Sequence, residues 1–198
     1  MEKIQKIVKR IFDILFSLIL VVVLSPIILL IALSIKTTSQ GPVLFKQKRI
    51  GKDGQVFEIF KFRTMVLNAE NFGDGLSVKS EKDKRITRVG SLLRKTSLDE
   101  IPQLFNVLFG QMSIVGPRPP VTYHPYKGID GYPEWAKKRF TIRPGITGLA
   151  QVKVRNSVSW DERIKYDIMY IDNFNIILDL IIIFKTFLRV IRTEDIYN

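Results

Sequence analysis

The sequence predicts an α+β fold, mainly helical, in which an N-terminal membrane helix (1–40) precedes one globular unit (41–198). Three observations carry this reading. An apolar run from Ile11 to Ile35 holds Asp13 as its only charge, two alternating segments flank a Gly-Lys-Asp-Gly turn, and helical periodicity recurs over 85–110 and from about Trp160 to Arg192. Residues 41–198 contain no internal repeat or low-complexity stretch.

The run from Ile11 to Ile35 is long enough to cross a bilayer as a helix. It is too long for a cleaved leader, and no A-x-A-like site follows it. Ser25-Pro26 lies near its middle, where proline removes an amide donor and disfavours helical geometry at the residue before it. Lys3, Lys6, Lys9 and Arg10 precede the run, and Lys36, Lys46, Lys48 and Arg49 follow it, so the positive-inside rule places both flanks in the cytoplasm. Segments 11–24 and 27–35 are each too short to cross alone. Two forms stay open on these grounds: a kinked spanning helix, and a re-entrant helix that bends at Ser25-Pro26 and returns to its own side.

After Gly41-Pro42, residues 43–49 and 55–65 flank Gly51-Lys52-Asp53-Gly54 and predict a β-hairpin. The period of two puts Lys61 and Arg63 on one face, with Phe60 and Phe62 on the other. Residues 67–84 are polar and Gly-containing, and predict a mobile surface loop. The helical pattern of 85–110 is broken at Thr96–Asp99. Two Pro/Gly elements follow, Gly116-Pro117-Arg118-Pro119-Pro120 and Arg143-Pro144-Gly145-Ile146-Thr147-Gly148, the second leading into a short extended piece. The terminal helical region contains IILDLIIIF (176–184), too short to span a membrane, which predicts a buried or interface-lying helix.

Composition bounds the chemistry. The 198 residues include no cysteine and one histidine, His124, which excludes disulfides, thiol catalysis and a multi-histidine metal site. Lysine and arginine number 31 against 19 acidic residues, a formal net charge of +12, which calls for an anionic partner: nucleic acid, an anionic membrane surface or a phosphorylated substrate. Nucleic acid is set aside, because the aromatic residues lie in apolar runs rather than along a basic stripe and no binding motif is present.

Arg118 sits between prolines and Arg143 precedes Pro-Gly. A stiff loop presenting one guanidinium suits a phosphate or carboxylate clamp, and it equally suits bracing against backbone carbonyls. In RKTSLDEIPQLFNVL (94–108), Ser97-x-x-Glu100 matches a capping box. With Ser97 as cap, however, Pro102 becomes the fifth helical residue, where its missing amide is felt. A cap at Leu98 or Asp99 moves Pro102 into the first turn and is preferred. Asp99 and Glu100 then sit at the helix mouth, which attracts anions, with Arg94 and Lys95 just upstream: a place for a metal-bound phosphoryl substrate. His124 reads as a loop residue, Asp161-Glu162 as a helix start, and Asp167 and Asp172 as polar-face or bracing residues.

The chain resembles the small monotopic polyprenyl-phosphate phosphoglycosyl transferases, bacterial sugar transferases that initiate glycan assembly. The motifs KRIFDI, LSPIILL, GPVLFKQKRIGKDG, IFKFRTM, RITRVGSLLRKTSLDEIPQLFNVL, GQMSIVGPRPP, RPGITGLAQV and SWDERIKYDIMYI run nearly end to end in order. The resemblance implies transfer of a sugar 1-phosphate from a UDP-sugar to polyprenyl (undecaprenyl) phosphate, releasing UMP, as the first membrane step of polysaccharide or glycoconjugate assembly. It implies that Asp99 is the nucleophile forming an aspartyl phosphosugar and that Glu100 helps hold Mg²⁺. Lys61, Arg63, Arg94, Arg118 and Arg143 become the candidate phosphate-binding residues. It also implies a re-entrant membrane helix broken at Ser25-Pro26, with both ends on the cytoplasmic face of the bacterial inner membrane. Amphipathic helices would then lie on the membrane lipids around the active site, and a homodimer is left open. Two positions depart from many members, which have Trp where Leu149 stands and Gly where Val154 stands. Both departures bear on interface packing or sugar fit.

Overall fold

A computed structural model describes residues 3–69, 83–154 and 158–192, and in it the apolar run is one helix, α1 (Lys3–Thr38), uninterrupted through Pro26. Pro26 cannot donate to the carbonyl of Val22, and the hydroxyl of Ser25 donates to that oxygen instead, at 2.8 Å. The side chain before the proline thus satisfies the acceptor that the proline abandons. By length and composition α1 could cross a membrane, and Val22, Val23, Leu29, Leu30 and Leu33 are exposed. Its opposite face packs on the globular unit along both halves: Phe16, Leu20 and Val21 on the main core, and Ile31 and Ile35 on a cluster with Phe62 and Leu93.

The hairpin forms as expected. Strands β1 (Leu44–Ile50) and β2 (Val56–Phe62) pair antiparallel, from Leu44 opposite Phe62 to Ile50 opposite Val56. The connection closes with Asp53 at φ 52° and Gly54 at φ 77°, left-handed positions that asparagine-like residues and glycine tolerate. The loop expected over 67–84 falls largely outside the described residues, which resume at 83.

Helix α2 (Arg88–Lys95) is capped by Thr87, which accepts from Gly90 N at 2.9 Å. A break follows, then a 3-10 turn (Leu98–Glu100) and α3 (Gln103–Leu108). Strand β3 (Ser113–Val115) pairs in parallel with β4 (Gly145–Thr147), between which lie α4 (Glu134–Lys137) and a 3-10 turn (Lys138–Thr141). Gly145 and Gly116 let the two backbones meet: a Cβ on Gly145 would lie 2.1 Å from Gly116 N. Helix α5 (Leu149–Lys153) leads to α6 (Trp160–Asp172), whose cap Ser159 accepts from Glu162 N. Asp161 and Glu162 lie in its first turn, as expected.

The single terminal helical region requires correction. It is two helices, α6 and α7 (Ile176–Arg192), separated at 173–175, where Asn175 Oδ1 accepts from Leu178 N at 2.8 Å and starts α7 afresh. α7 buries Ile182 and Asp179 and exposes Ile177, Leu180, Phe184 and Phe187, so it is packed on one face and leaves an apolar outer face. The main core gathers Phe57 and Ile59 of β2, Leu104 and Val107 of α3, Val115 of β3, Tyr170 of α6 and Ile182 of α7.

α1 joins this core through charge as well as apolar contact. Lys9 Nζ lies 2.6 Å from Asp179 Oδ2, whose other oxygen accepts from Tyr170 OH at 2.6 Å. Asp13 accepts from Ser113 Oγ at 2.8 Å and Ile114 N at 3.1 Å. The only charge in the apolar run is therefore a buried acceptor for β3.

Candidate active site

Ser97 takes a left-handed conformation (φ 55°) and makes no side-chain cap bond, so the capping box does not form. The preferred alternative is corrected too. Neither Leu98 nor Asp99 caps an α-helix: both carboxylates ride on the 3-10 turn, closed by Glu100 N to Ser97 O at 3.2 Å, and α3 begins only after Pro102. Proline occupies the cap of α3 because that position needs no amide donor.

Asn106 of α3 sets the turn against the hairpin. Its Oδ1 accepts from Phe60 N at 2.9 Å and its Nδ2 donates to Glu58 O at 2.7 Å, completing the open edge of β2. This register brings Lys61 of β2 to the acidic pair: Nζ lies 2.6 Å from Glu100 Oε1 and 3.8 Å from Asp99 Oδ2. Arg118 Nη2 reaches the same Glu100 oxygen at 3.3 Å. Arg94, on α2, donates from Nε to Thr64 Oγ1 at 2.9 Å, and its charge acts on Asp99. All five side chains line one cleft of about 1130 Å³, whose walls also include Leu20 and Leu24 of α1.

The two carboxylates have opposite electrostatic environments. Burial alone would raise Glu100, but Lys61 and Arg118 overcome it and hold the carboxyl down at about 2. Asp99 is raised, first by burial and then by the charge of Glu100, against the opposing pull of Lys61. Glu100 is therefore a fixed anion already matched to two cations, while Asp99 is the more basic oxygen of the pair.

The loop presenting Arg118 is gripped by its carbonyls. Arg118 O accepts from Arg139 Nη2 at 2.8 Å, Pro119 O from Arg49 Nη1 at 2.9 Å, and Pro120 O from Ile50 N at 3.0 Å. The loop holds the Arg118 guanidinium toward Glu100, while Arg49 and Arg139 brace the loop's carbonyls. Burial lowers Arg49 to about 10.

Two expected phosphate ligands are not brought to the pair. Arg63 borders the cleft, but its guanidinium donates to Ser39 O at 3.0 Å, Ser39 Oγ at 2.7 Å and Gln40 O, bracing the end of α1. Arg143 stands outside the cleft, in a small cavity with Lys6 and Arg10, and donates to Gly110 O at 2.7 Å. Ser25 and Pro26 follow directly on Leu24. Of the two departures, Leu149 is buried in the main core, and only Val154 borders the cleft. Arg139, Asp167 and Trp160 also line the cleft. Sequence spacing carried no signal for Arg139, and it suggested for Asp167 a polar-face or bracing role; Asp167 is buried against Arg139 rather than on a solvated face.

The family model for bacterial sugar transferases matches residues 4–193. The chain is 43% identical over 202 residues to the UDP-glucose:undecaprenyl-phosphate glucose-1-phosphate transferase of Klebsiella pneumoniae, covering 98% of this chain and 42% of that protein. It is 39% identical over 202 residues to the exopolysaccharide production protein ExoY of Sinorhizobium fredii, covering 96% of this chain and 88% of that one. It is 42% identical over 189 residues to the UDP-N-acetylgalactosamine-undecaprenyl-phosphate N-acetylgalactosaminephosphotransferase of Aeromonas hydrophila, covering 94% and 44%. The chain thus spans less than half of two of these relatives and most of the third. The match extends from α1 through the whole of α7 and takes in the whole cleft: this chain belongs to the bacterial sugar transferase family.

Proposed function

We propose that the chain transfers a sugar 1-phosphate from a UDP-sugar to polyprenyl phosphate, yielding a polyprenyl-diphosphate sugar and UMP. The observation that carries this reading is the unequal acidic pair. One carboxylate is held ionised by two cations, and its neighbour is raised and faces a cation-lined cleft. Family membership and the named substrates of the relatives support the substrate classes.

In the first half-reaction a carboxylate oxygen of Asp99 attacks the sugar-bearing phosphorus. The bond from that phosphorus to the bridging oxygen breaks, and UMP leaves with that oxygen, giving an aspartyl phosphosugar. In the second, a phosphate oxygen of the polyprenyl phosphate attacks the same phosphorus and the Asp99 carboxylate departs unchanged. Splitting the transfer lets two bulky substrates use the cleft in turn. Lys61, Arg94 and Arg118 offset the charge on the phosphoryl oxygens in both steps.

Mg²⁺ fits the donor set. Among the described residues no group of three or more His, Cys, Asp or Glu stands together, and the pair offers hard oxygens of the kind Mg²⁺ accepts alongside phosphate and water. Glu100 would hold it, since Oε1 takes the bonds from Lys61 and Arg118 while Oε2 takes neither. When bound, the ion neutralises diphosphate charge and orients the leaving group.

In this reading α1 is re-entrant, with both ends cytoplasmic and the cleft at the inner face of the bacterial plasma membrane. The packing of both its halves on one globular unit supports this arrangement. The step would open assembly of an exopolysaccharide, capsule or other glycoconjugate.

The test is UMP release by purified protein in nanodiscs with Mg²⁺, polyprenyl phosphate and a panel of UDP-sugars. Asp99→Asn should abolish turnover, together with the phosphosugar mass adduct that the unmodified protein forms with UDP-sugar alone. Full activity in that variant sinks the assignment.

A further inference from the structure

Pro117-Arg118-Pro119-Pro120 contains one backbone amide in four residues, so the loop cannot hold itself by donating and must be held by donors from elsewhere. Arg139 supplies one of them. A single nitrogen, Nη2, donates to Arg118 O at 2.8 Å and lies 2.8 Å from Asp167 Oδ2. The Arg139 and Asp167 side chains are only 1% and 2% exposed. Tyr132, Phe140 and Trp160 surround the guanidinium, their ring centroids 6.0, 5.6 and 6.0 Å from Cζ, and keep water from competing for it.

A buried ion pair is a poor choice for stability alone, because apolar side chains of the same volume often do as well. What this pair adds is direction. The carboxylate on α6 fixes which way the guanidinium points, and the guanidinium fixes the carbonyl of the residue whose own side chain meets Glu100 Oε1 at 3.3 Å. That contact is near the outer limit for a hydrogen bond, so a small loop displacement breaks it.

We propose that Asp167 and Arg139 are positioning residues for Arg118: Asp167 orients Arg139, Arg139 anchors the Arg118 carbonyl, and the anchored loop delivers the Arg118 guanidinium to Glu100. The kinetic part of this inference rests on the transfer reaction proposed above; the structural part does not.

The test combines UMP release with hydrogen–deuterium exchange on the full chain in nanodiscs. Asp167→Ala should lower kcat by about 10- to 100-fold, the scale of a misplacement of about an ångström. It should also raise exchange in the peptide spanning 116–124 while leaving unchanged the hairpin amides other than that of Ile50, which donates to Pro120 O. In an Arg118→Ala background the same substitution should change kcat by less than about threefold, because the group it positions is gone. Asp167→Asn, which keeps an acceptor oxygen for Arg139 and is gentler on folding, should show a smaller loss that Arg118→Ala also absorbs. Losses that multiply in the double variants, or unchanged exchange in 116–124, overturn the proposal. If the unmodified protein releases no UMP from any UDP-sugar, the reaction assignment fails instead, and the exchange measurement still decides whether Asp167 holds the loop.

Discussion

Lys9 and Asp179 meet at 2.6 Å across a sequence separation of 170 residues, and both side chains are less than one-tenth exposed. The contact ties the first turns of α1 to α7, so the membrane helix is bolted to the globular unit rather than tethered to it. Lys9→Met leaves Asp179 with Tyr170 as its remaining partner in this network and a buried charge without its cation. The expected loss of stability is about 3–5 kcal/mol, read as a shift in the unfolding midpoint in mixed micelles. Lys9→Met with Asp179→Leu should recover part of that loss, because Asp179 no longer stands as a buried charge without its cation, while Asp13, which Lys9 Nζ also approaches at 3.7 Å, keeps its Ser113 and Ile114 donors.

The acidic pair predicts a pH profile. In the proposed reaction Asp99 attacks as the carboxylate, and its carboxyl is raised above the ordinary aspartate range, so activity should fall on acidification at a higher pH than an unperturbed aspartate would give. Glu100, held at about 2, stays ionised throughout and contributes no step. Lys61→Met removes the leading influence that lowers Asp99. The acid limb of its residual activity should therefore move further toward neutrality, measured as kcat against pH.

Gly90 sits where α2 crosses the strand end, and a Cβ there would lie 2.0 Å from the backbone oxygen of Thr64. That oxygen is fixed by Thr87 N at 3.0 Å and cannot withdraw cheaply. Gly90→Ala should cost about 1–3 kcal/mol by overpacking. It should also depress UMP release, because Arg94 and its partner Thr64 Oγ1 straddle the same crossing.

Arg63 and Arg118 should separate by assay. Arg63→Met removes the donors at the end of α1 and should lower stability by about 2–4 kcal/mol, the scale for losing charged hydrogen bonds, with KM for the UDP-sugar nearly unchanged. Arg118→Met should leave the unfolding midpoint close to that of the unmodified protein and depress kcat. Thermal unfolding and steady-state kinetics on the two variants make the distinction.

What could be read from the sequence follows the range of the interactions. The hairpin was legible because alternation and Gly51–Gly54 are local signals, and α1 was legible because an apolar run of that length has few other uses. Asp99 and Glu100 were legible as a pair, but their roles came from the resemblance, and the turn that carries them is tighter than the helix start expected. The break at 173–175 has no proline or glycine; its signal is the asparagines, whose side chains compete for backbone groups. The β3–β4 pairing joins three-residue strands about thirty positions apart, too short for periodicity to show. Arg63, Arg143 and Arg139 look alike in sequence. Only the fold decides which carbonyls each guanidinium meets.

Leu20 and Leu24 belong to the apolar helix and also line the cleft that holds Asp99. A protein extracted from its membrane carries that wall into whatever solubilises it, and an alkyl chain lying against these leucines occupies space that a lipid-linked acceptor would need. Detergent is then a competing ligand as well as a solvent: acceptor KM should rise with detergent chain length and concentration, while adduct formation from the water-soluble sugar nucleotide stays comparatively constant.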